Sequence, residues 1–355
     1  MHSKAFVVLP KKYEAFIEEE MALVRTVYKD VVGYIVVRNS NARTYLSTDK
    51  VEKLKDEDFD TLVVMDRLKP SQVVNLVRSL KRDVVDRVMV ILEIFAMHAG
   101  SREAQLQVEL ARLRHSLPLI KEAIRYAKLG ELHGFLGAGK YGYEKYYLLL
   151  KRREARVRRE IEKLREVRSL RRKARLEAGY PSVVLVGYTC AGKTSLFNAI
   201  TGLSKPVGPE PFTTLVPKSY RVSYGDLEFV LVDTVGFIRD IPPEIIEAFY
   251  ATLEEVAEAD LIINLVDASK PLNEVISEIK TCTDILGKLG ARGKPVIYAL
   301  NKIDKLSNDG ILNVVEHVQK VVGSTKLIPI SCTRKVNINA LLDAIYEELV
   351  KRRSR

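Results

Sequence analysis

A chain of 355 residues can hold two or three domains and bury a sizeable core without disulfide or metal staples. With 47% hydrophobic and 29% charged residues, its composition is that of an ordinary globular protein and excludes the disordered and fibrous classes. The net charge of +11, from 57 Lys and Arg against 46 Asp and Glu, is concentrated in residues 151–175, which hold 13 basic and 4 acidic side chains and leave the rest near neutral.

Apolar runs such as Leu261–Val266 fall far short of the ~20 residues of a membrane-spanning helix. The N-terminal stretch has too short an apolar run for a signal peptide and turns acidic. Three cysteines, Cys190, Cys282 and Cys332, without metal-ligand spacing fit a reducing compartment, and five scattered histidines argue against zinc. The reading is a cytosolic monomer with no membrane partner.

In chain order, residues 5–95 alternate β-branched runs with amphipathic stretches. The runs AFVVL, VVGYIVV, TLVVMD and RVMVIL read as strands, with helices over 11–27 and from Pro70-Ser71. This predicts a small α/β domain, residues 1–100, with a partly parallel sheet. Two long helices follow in residues 101–178. The first spans 101–129 and carries Leu106, Leu110, Leu113 and Leu117 at helical spacing, with Pro118 as a candidate kink. The second, about 141–177, sets Leu150, Val157, Ile161, Leu164 and Val167 in one stripe between the basic residues. Between them, Gly134–Lys140 reads as a flexible joint, with a loop touching the C-terminal domain or RNA as the alternative. The stretch also has G-x-x-x-x-G-K spacing, but a phosphate-binding loop there is disfavoured, because Tyr141 stands where that motif needs a Ser or Thr hydroxyl. Gly179-Tyr-Pro181 marks the next boundary. From there to 355, strands VVLVG, 217–224, 227–233, LIINLVD, PVIYALN and KLIPIS alternate with helices, apart from a polar loop at 204–215. Apolar runs this continuous belong to a doubly wound α/β sheet covered on both faces.

Gly187, Tyr188, Thr189, Cys190, Ala191, Gly192, Lys193 and Thr194 form a G-x-x-x-x-G-K-T phosphate loop between a strand and a helix. Glycines let backbone N–H groups wrap phosphates, the helix N-terminus adds positive potential, Lys193 meets the β- and γ-phosphates, and the Thr194 hydroxyl ligates Mg²⁺. Ser195 completes the loop. Asp233, Thr234, Val235 and Gly236 close a strand, where the carboxylate can hold Mg²⁺ and the Gly236 N–H can reach the γ-phosphate. Between these segments, Phe212, Thr213 and Thr214 lie in a loop that a hydroxyl on Mg²⁺ would order, Thr214 being favoured over Thr213. The catalytic candidates are thus Lys193, Thr214 and Gly236, and the metal candidates Thr194, Thr214 and Asp233. Asn301-Lys302-Ile303-Asp304 follows a strand at the edge where α/β domains bind ligands. Asp304 can accept two hydrogen bonds from guanine N1–H and its amine, while the Lys302 stem packs along base or ribose, which favours GTP and GDP over adenine nucleotides. Ser331, Cys332 and Thr333 sit where a further guanine-contacting loop would lie. Phe237, directly after Gly236, occupies a position where many GTPases have a Gln that orients the attacking water, and Phe cannot hydrogen-bond water.

On these motifs, and on the stretches 86–118 and 233–269, the chain resembles the HflX family of translation-factor-related GTPases. The first ~85 residues fall to that family's N-terminal domain by position only. The resemblance implies a GTPase that associates with the large ribosomal subunit and acts in ribosome rescue or splitting, in biogenesis or in protein synthesis. It also implies slow intrinsic hydrolysis, since the family shares the hydrophobic residue at the position of Phe237. Such GTPases usually carry Asn where Cys190 stands, so little stimulation by K⁺ is expected.

The basic segment 151–175 has two readings: a solvated helix with i,i+4 pairs, or a surface for ribosomal RNA. Its density favours the second, with the N-terminal domain as a further contact and Tyr141, Tyr143, Tyr146 and Tyr147 upstream as candidates for stacking on unpaired bases. The rival to a GTP-hydrolysing switch is a nucleotide-sensing RNA-binding module with negligible catalysis.

Overall fold

The computed structural model describes residues 4–99, 101–128, 140–177, 179–203, 218–240, 245 and 255–353. The chain divides into two units: residues 1–164 with 242–248, and residues 165–241 with 249–355.

In the first unit, β1 (Lys4–Pro10), β2 (Asp30–Val37), β3 (Thr61–Val64) and β4 (Asp83–Asp86) form a sheet of order β2-β1-β3-β4. All three pairings are parallel, where the sequence suggested a partly parallel sheet. Four helices connect and cover it: α1 (Ile17–Val27), α2 (Thr48–Lys55), α3 (Pro70–Leu80) and α4 (Arg87–His98). Phe6, Val8, Leu62 and Val64 pack one face against Val51 and Leu54 of α2 and Val73 and Leu76 of α3. Pro70 opens α3, where a missing N–H costs nothing, and Gln72 Oε1 accepts the Lys69 N–H at 2.9 Å.

The run RVMVIL is a helix, not the strand its β-branched residues suggested. The strand is the preceding Asp83–Asp86, and Asp86 switches the chain from one to the other: its backbone is extended while its carboxylate accepts the Met89 N–H at 3.1 Å as an N-cap. Because α4 is buried on most of its faces, it lacks the polar stripe that marks a helix in sequence. Arg87 and Glu20 tie α4 to α1 through a buried bidentate pair at 2.8 Å. Burial works to lower the Arg87 pKa, and the Glu20 carboxylate overcomes it, so the value stands above the ordinary one.

The helices α5 (Arg102–Lys128) and α6 (Lys140–Glu177) are antiparallel, as the pairs Arg102–Glu160, Arg153–Glu109 and Lys128–Glu144 show. The Ser101 hydroxyl caps α5 by accepting the Ala104 N–H at 3.1 Å, and the helix runs through Pro118. Leu106 and Leu113 bury Val157 and Ile161 between the helices, each such burial contributing roughly 1.5–3 kcal/mol. The apolar stripe of α6 stops at Leu164 and does not include Val167, which is 48% exposed. The reason is length: Arg102, the first residue of α5, already reaches Glu160, so one turn later α6 has passed the end of its partner. The glycine-rich stretch 134–139 lies outside the described residues.

The second unit holds a six-stranded sheet of order β10-β9-β8-β5-β7-β6, formed by β5 (Ser182–Gly187), β6 (Lys218–Tyr224), β7 (Leu227–Asp233), β8 (Leu261–Asp267), β9 (Val296–Asn301) and β10 (Leu327–Pro329). Only β6 is antiparallel, an edge strand on an otherwise parallel sheet. The helices α7 (Lys193–Thr201) and α10 (Ile338–Arg353) share a core with one face of the sheet, and α8 (Leu272–Lys288) and α9 (Asn308–Val322) with the other. β5 lies between β8 and β7, so strand order reverses at its carboxyl end, where α/β sheets open a crevice for ligands. No helix among the described residues is long and apolar enough to cross a membrane.

Candidate nucleotide site

The crevice at the carboxyl end of β5 gathers most of the sequence-predicted residues. Gly187 closes β5, and Lys193 begins α7 after a loop in which Cys190 adopts φ 61° and Gly192 φ 101°. A side chain at Gly192 would bring its Cβ to 2.3 Å from Asn301 Nδ2, so the loop reaches Asn301 only because this residue is glycine. The Asn301 amide staples the site: Nδ2 donates to the Ala191 carbonyl at 2.8 Å, and Oδ1 accepts the Cys332 N–H at 3.1 Å. One buried side chain thus joins the phosphate loop to the 331–333 turn. Cys190 is exposed, whereas Cys282 and Cys332 are buried and burial pushes both thiols up to about 12.

Lys193 is buried and donates to the carbonyls of Gly187 at 3.0 Å and Tyr188 at 2.6 Å. Burial pulls its pKa below the ordinary value, and the Asp233 carboxylate works against that pull. Thr194 Oγ1 donates to Asp233 Oδ2 at 3.1 Å, which sets a hydroxyl and a fully buried carboxylate side by side at the start of α7. These are hard oxygen donors of the type Mg²⁺ takes alongside substrate phosphates, and the pair fits such an ion. Among the described residues no cluster of three or more His, Cys, Asp or Glu could hold a metal by itself.

The segment after β7 is bonded to the phosphate loop. Thr189 N–H donates to the Phe237 carbonyl at 2.8 Å, and Phe237 N–H donates to the Gly187 carbonyl at 3.0 Å. Gly236 lies so close that a Cβ there would sit 2.9 Å from Thr189 Cα and 3.0 Å from Lys193 Nζ. The Thr234 hydroxyl points to the strand, donating to the Leu185 carbonyl at 2.6 Å, and Val235 and Phe237 are buried. Phe212, Thr213 and Thr214 lie outside the described residues.

At the base end, Asp304 is at the surface and accepts the Ser331 hydroxyl at 2.5 Å. That bond holds its carboxyl below the ordinary value. Ser331 is fully buried, accepts the Arg334 N–H at 3.1 Å and lies 3.2 Å from the Thr333 hydroxyl. Lys302 Nζ donates to Asp267 Oδ2 at 2.6 Å. Asp267 and Ser269 were missed in the sequence. Their signal was available: a carboxylate closing a mostly apolar strand, two residues before a serine, on the strand beside Asn301.

Family models match in three consecutive pieces: a GTP-binding GTPase N-terminal region over residues 14–96, a GTP-binding GTPase middle region over 98–175, and a 50S ribosome-binding GTPase model over 182–302. A GTPase HflX from Hyperthermus butylicus is 42% identical over 351 residues, covering 95% of this chain and 94% of that protein. One from Saccharolobus solfataricus is 41% identical, covering 97% of this chain and 98% of that protein. A crystal structure of a GTP-binding protein from Sulfolobus solfataricus in complex with GDP is similar with a TM-score of 0.51 at 34% identity, covering 98% of this chain and 99% of that one.

Proposed function

The chain belongs to the HflX family of GTPases, and from that premise we propose that it is a GTP-driven switch on the large ribosomal subunit, acting in ribosome rescue, splitting or biogenesis. As a family member it is a GTP-hydrolysing enzyme with a P-loop GTP-binding domain. The observation that carries the ribosomal reading is the cationic surface of α6. Lys151, Arg152, Arg153, Arg156, Arg158, Arg159, Lys163 and Arg165 are all exposed, and Arg152, Lys163 and Arg165 have no ion pair among the described residues. An RNA backbone would release counterions on meeting such a surface. The description of the GTPase-domain model as a 50S ribosome-binding GTPase points to the same partner. Work on ribosomes would place the protein in the cytoplasm, where we read it as a monomer.

Each part of the crevice has its task in this reading. The amides of residues 187–195 and the Lys193 ammonium hold the β- and γ-phosphates, and the lysine stabilises charge on the transferring phosphoryl group. Thr194, Asp233 and Thr214 would hold Mg²⁺, which when bound supplies further charge neutralisation at the phosphates. Asp304 accepts from the guanine N1–H and amine. Gly236 N–H reaches the γ-phosphate once the backbone bonds of Phe237 to Gly187 and Thr189 open. Phe237 cannot orient water, so hydrolysis is slow until the ribosome rearranges the segment or supplies a group. Cys190, a thiol in place of an amide, is a poor ligand for K⁺.

Sedimentation with isolated large subunits in GDP, GTP and a non-hydrolysable GTP analogue tests this reading. Co-sedimentation that is strongest with the analogue is the expected result. A second reading, an RNA-binding module with negligible catalysis, is favoured by Phe237 alone, and binding to free RNA indifferent to nucleotide would support it instead.

A further inference from the structure

One carboxylate stands inside the nucleotide crevice with no part in the reading above. Asp267 closes β8, a strand buried along its whole length, and its own side chain is only 7% exposed. Its two oxygens are divided between partners. Oδ1 accepts the Ser269 N–H at 3.1 Å and the Ser269 hydroxyl at 2.6 Å, while Oδ2 accepts Lys302 Nζ at 2.6 Å. The parallel register sets Asp267 directly beside Asn301, and the Ala268 N–H donates to the Asn301 carbonyl at 2.9 Å. Carboxylate and ammonium therefore start from backbone positions locked to each other by the sheet. Lys302 adopts φ 67°, a left-handed conformation uncommon for a residue with a side chain.

We infer that Asp267 is a positioning residue for guanine nucleotides: with one oxygen fixed by Ser269, it pins the Lys302 ammonium so that the lysine stem forms a preset apolar platform beside Asp304. The inference rests on the assignment of Asn301–Asp304 as the base-recognition segment. A lysine immobilised by the arriving ligand loses its rotamer freedom at the expense of affinity, whereas one already held by Asp267 does not. The pair also neutralises an ammonium that would otherwise seek phosphate. Lys193, bonded to loop carbonyls, stays available as a cation of the phosphate end. Because base and ribose are common to both nucleotides, the effect is the same for GDP and GTP. This separates Asp267 from residues that sense the γ-phosphate.

A purely structural role, capping the turn that leads into α8, would involve Ser269 but would act independently of Lys302. A double-mutant cycle on the full chain distinguishes the two. GDP and GTP affinities are measured by fluorescence for Asp267→Asn, Lys302→Met and the double variant, with thermal unfolding recorded in the absence of nucleotide. Asp267→Asn is expected to weaken both nucleotides by the same factor, about tenfold, and to raise KM more than it lowers kcat. In the Lys302→Met background it should have no further effect. Asp267→Glu, which keeps the charge on a longer arm, should restore part of the affinity and gives the cycle a second entry if the amide variant folds poorly. Additive losses in the double variant, or a loss confined to GTP, would overturn the inference. Asp304→Asn is measured alongside. If it leaves GDP affinity unchanged, the assignment of the base-recognition segment itself fails. If it weakens GDP while the other two effects add, only the role of Asp267 is lost.

Discussion

Asp304 depends on a neighbour 27 residues away in the chain. The buried Ser331 hydroxyl donates to its carboxylate while accepting the Arg334 N–H, so the acceptor that would read guanine is oriented before any ligand arrives. The same bond favours the ionised form and holds the pKa below the ordinary carboxylate value. The sign follows from the depressed pKa. The contribution of the ionised group is fully present above the ordinary value and is lost as pH falls through the lowered one. Guanine nucleotide affinity should therefore stay level through mildly acidic pH and drop only in strong acid. In Ser331→Ala the drop should begin at higher pH, with a several-fold loss at neutral pH, about one charge-assisted hydrogen bond. Titration of GDP affinity against pH for both proteins checks this, and superimposable profiles would remove the link between the two residues. Both segments were legible in the sequence through their motifs. The use to which Asn301 puts its amide was not: Ala191 and Cys332, the two residues it bridges across the crevice, are far apart in the chain and meet only through the order of the strands.

At the scale of elements, α6 combines a short apolar contact with a long cationic surface. Val157 and Ile161 hold it to α5, and Glu154, Glu160 and Glu162 are taken up by Arg114, Arg102 and Arg156, and Arg158. Among the described residues, Arg152, Lys163 and Arg165 on the exposed side are left without an ion pair. Replacing Arg152, Lys163 and Arg165 by Gln should weaken binding to large subunits and flatten its salt dependence, by about 0.7–0.9 in log–log slope for each phosphate contact removed. GTP affinity should be nearly unchanged. An equal loss of GTP affinity would instead make α6 a support for the GTPase domain. Legibility at this scale followed burial. The second sheet, with its continuous apolar strands, and the helix pair, with its leucine spacing, were plain in the sequence. The helix α4 was not, since an element buried on most faces has no polar side to reveal its period, and the Asp86 cap that starts it is a single residue. The end of the α5–α6 seam was hidden for another reason: it is set by where the partner begins.

As a whole, the molecule in the proposed reading is a slow GTPase whose rate a ribosomal partner would set. The phosphate loop holds Lys193 through its own carbonyls and holds Phe237 through two backbone bonds, so the segment that must meet the γ-phosphate is packed against the loop by apolar and backbone contacts. The phenylalanine side chain at position 237 cannot aim a water. Phosphoryl transfer depends mainly on positioning and charge stabilisation; in the proposed reading Lys193 and Asp233 serve the charge, while Phe237 stands where a water-orienting side chain would act. The most direct test is GTP hydrolysis under single-turnover conditions, with and without isolated large ribosomal subunits. The account predicts slow turnover by the protein alone and acceleration of about a hundredfold or more by the subunit, the scale on which a supplied transition-state group acts. Turnover on the order of 10 per second by the isolated protein, with no gain from the subunit, would contradict it.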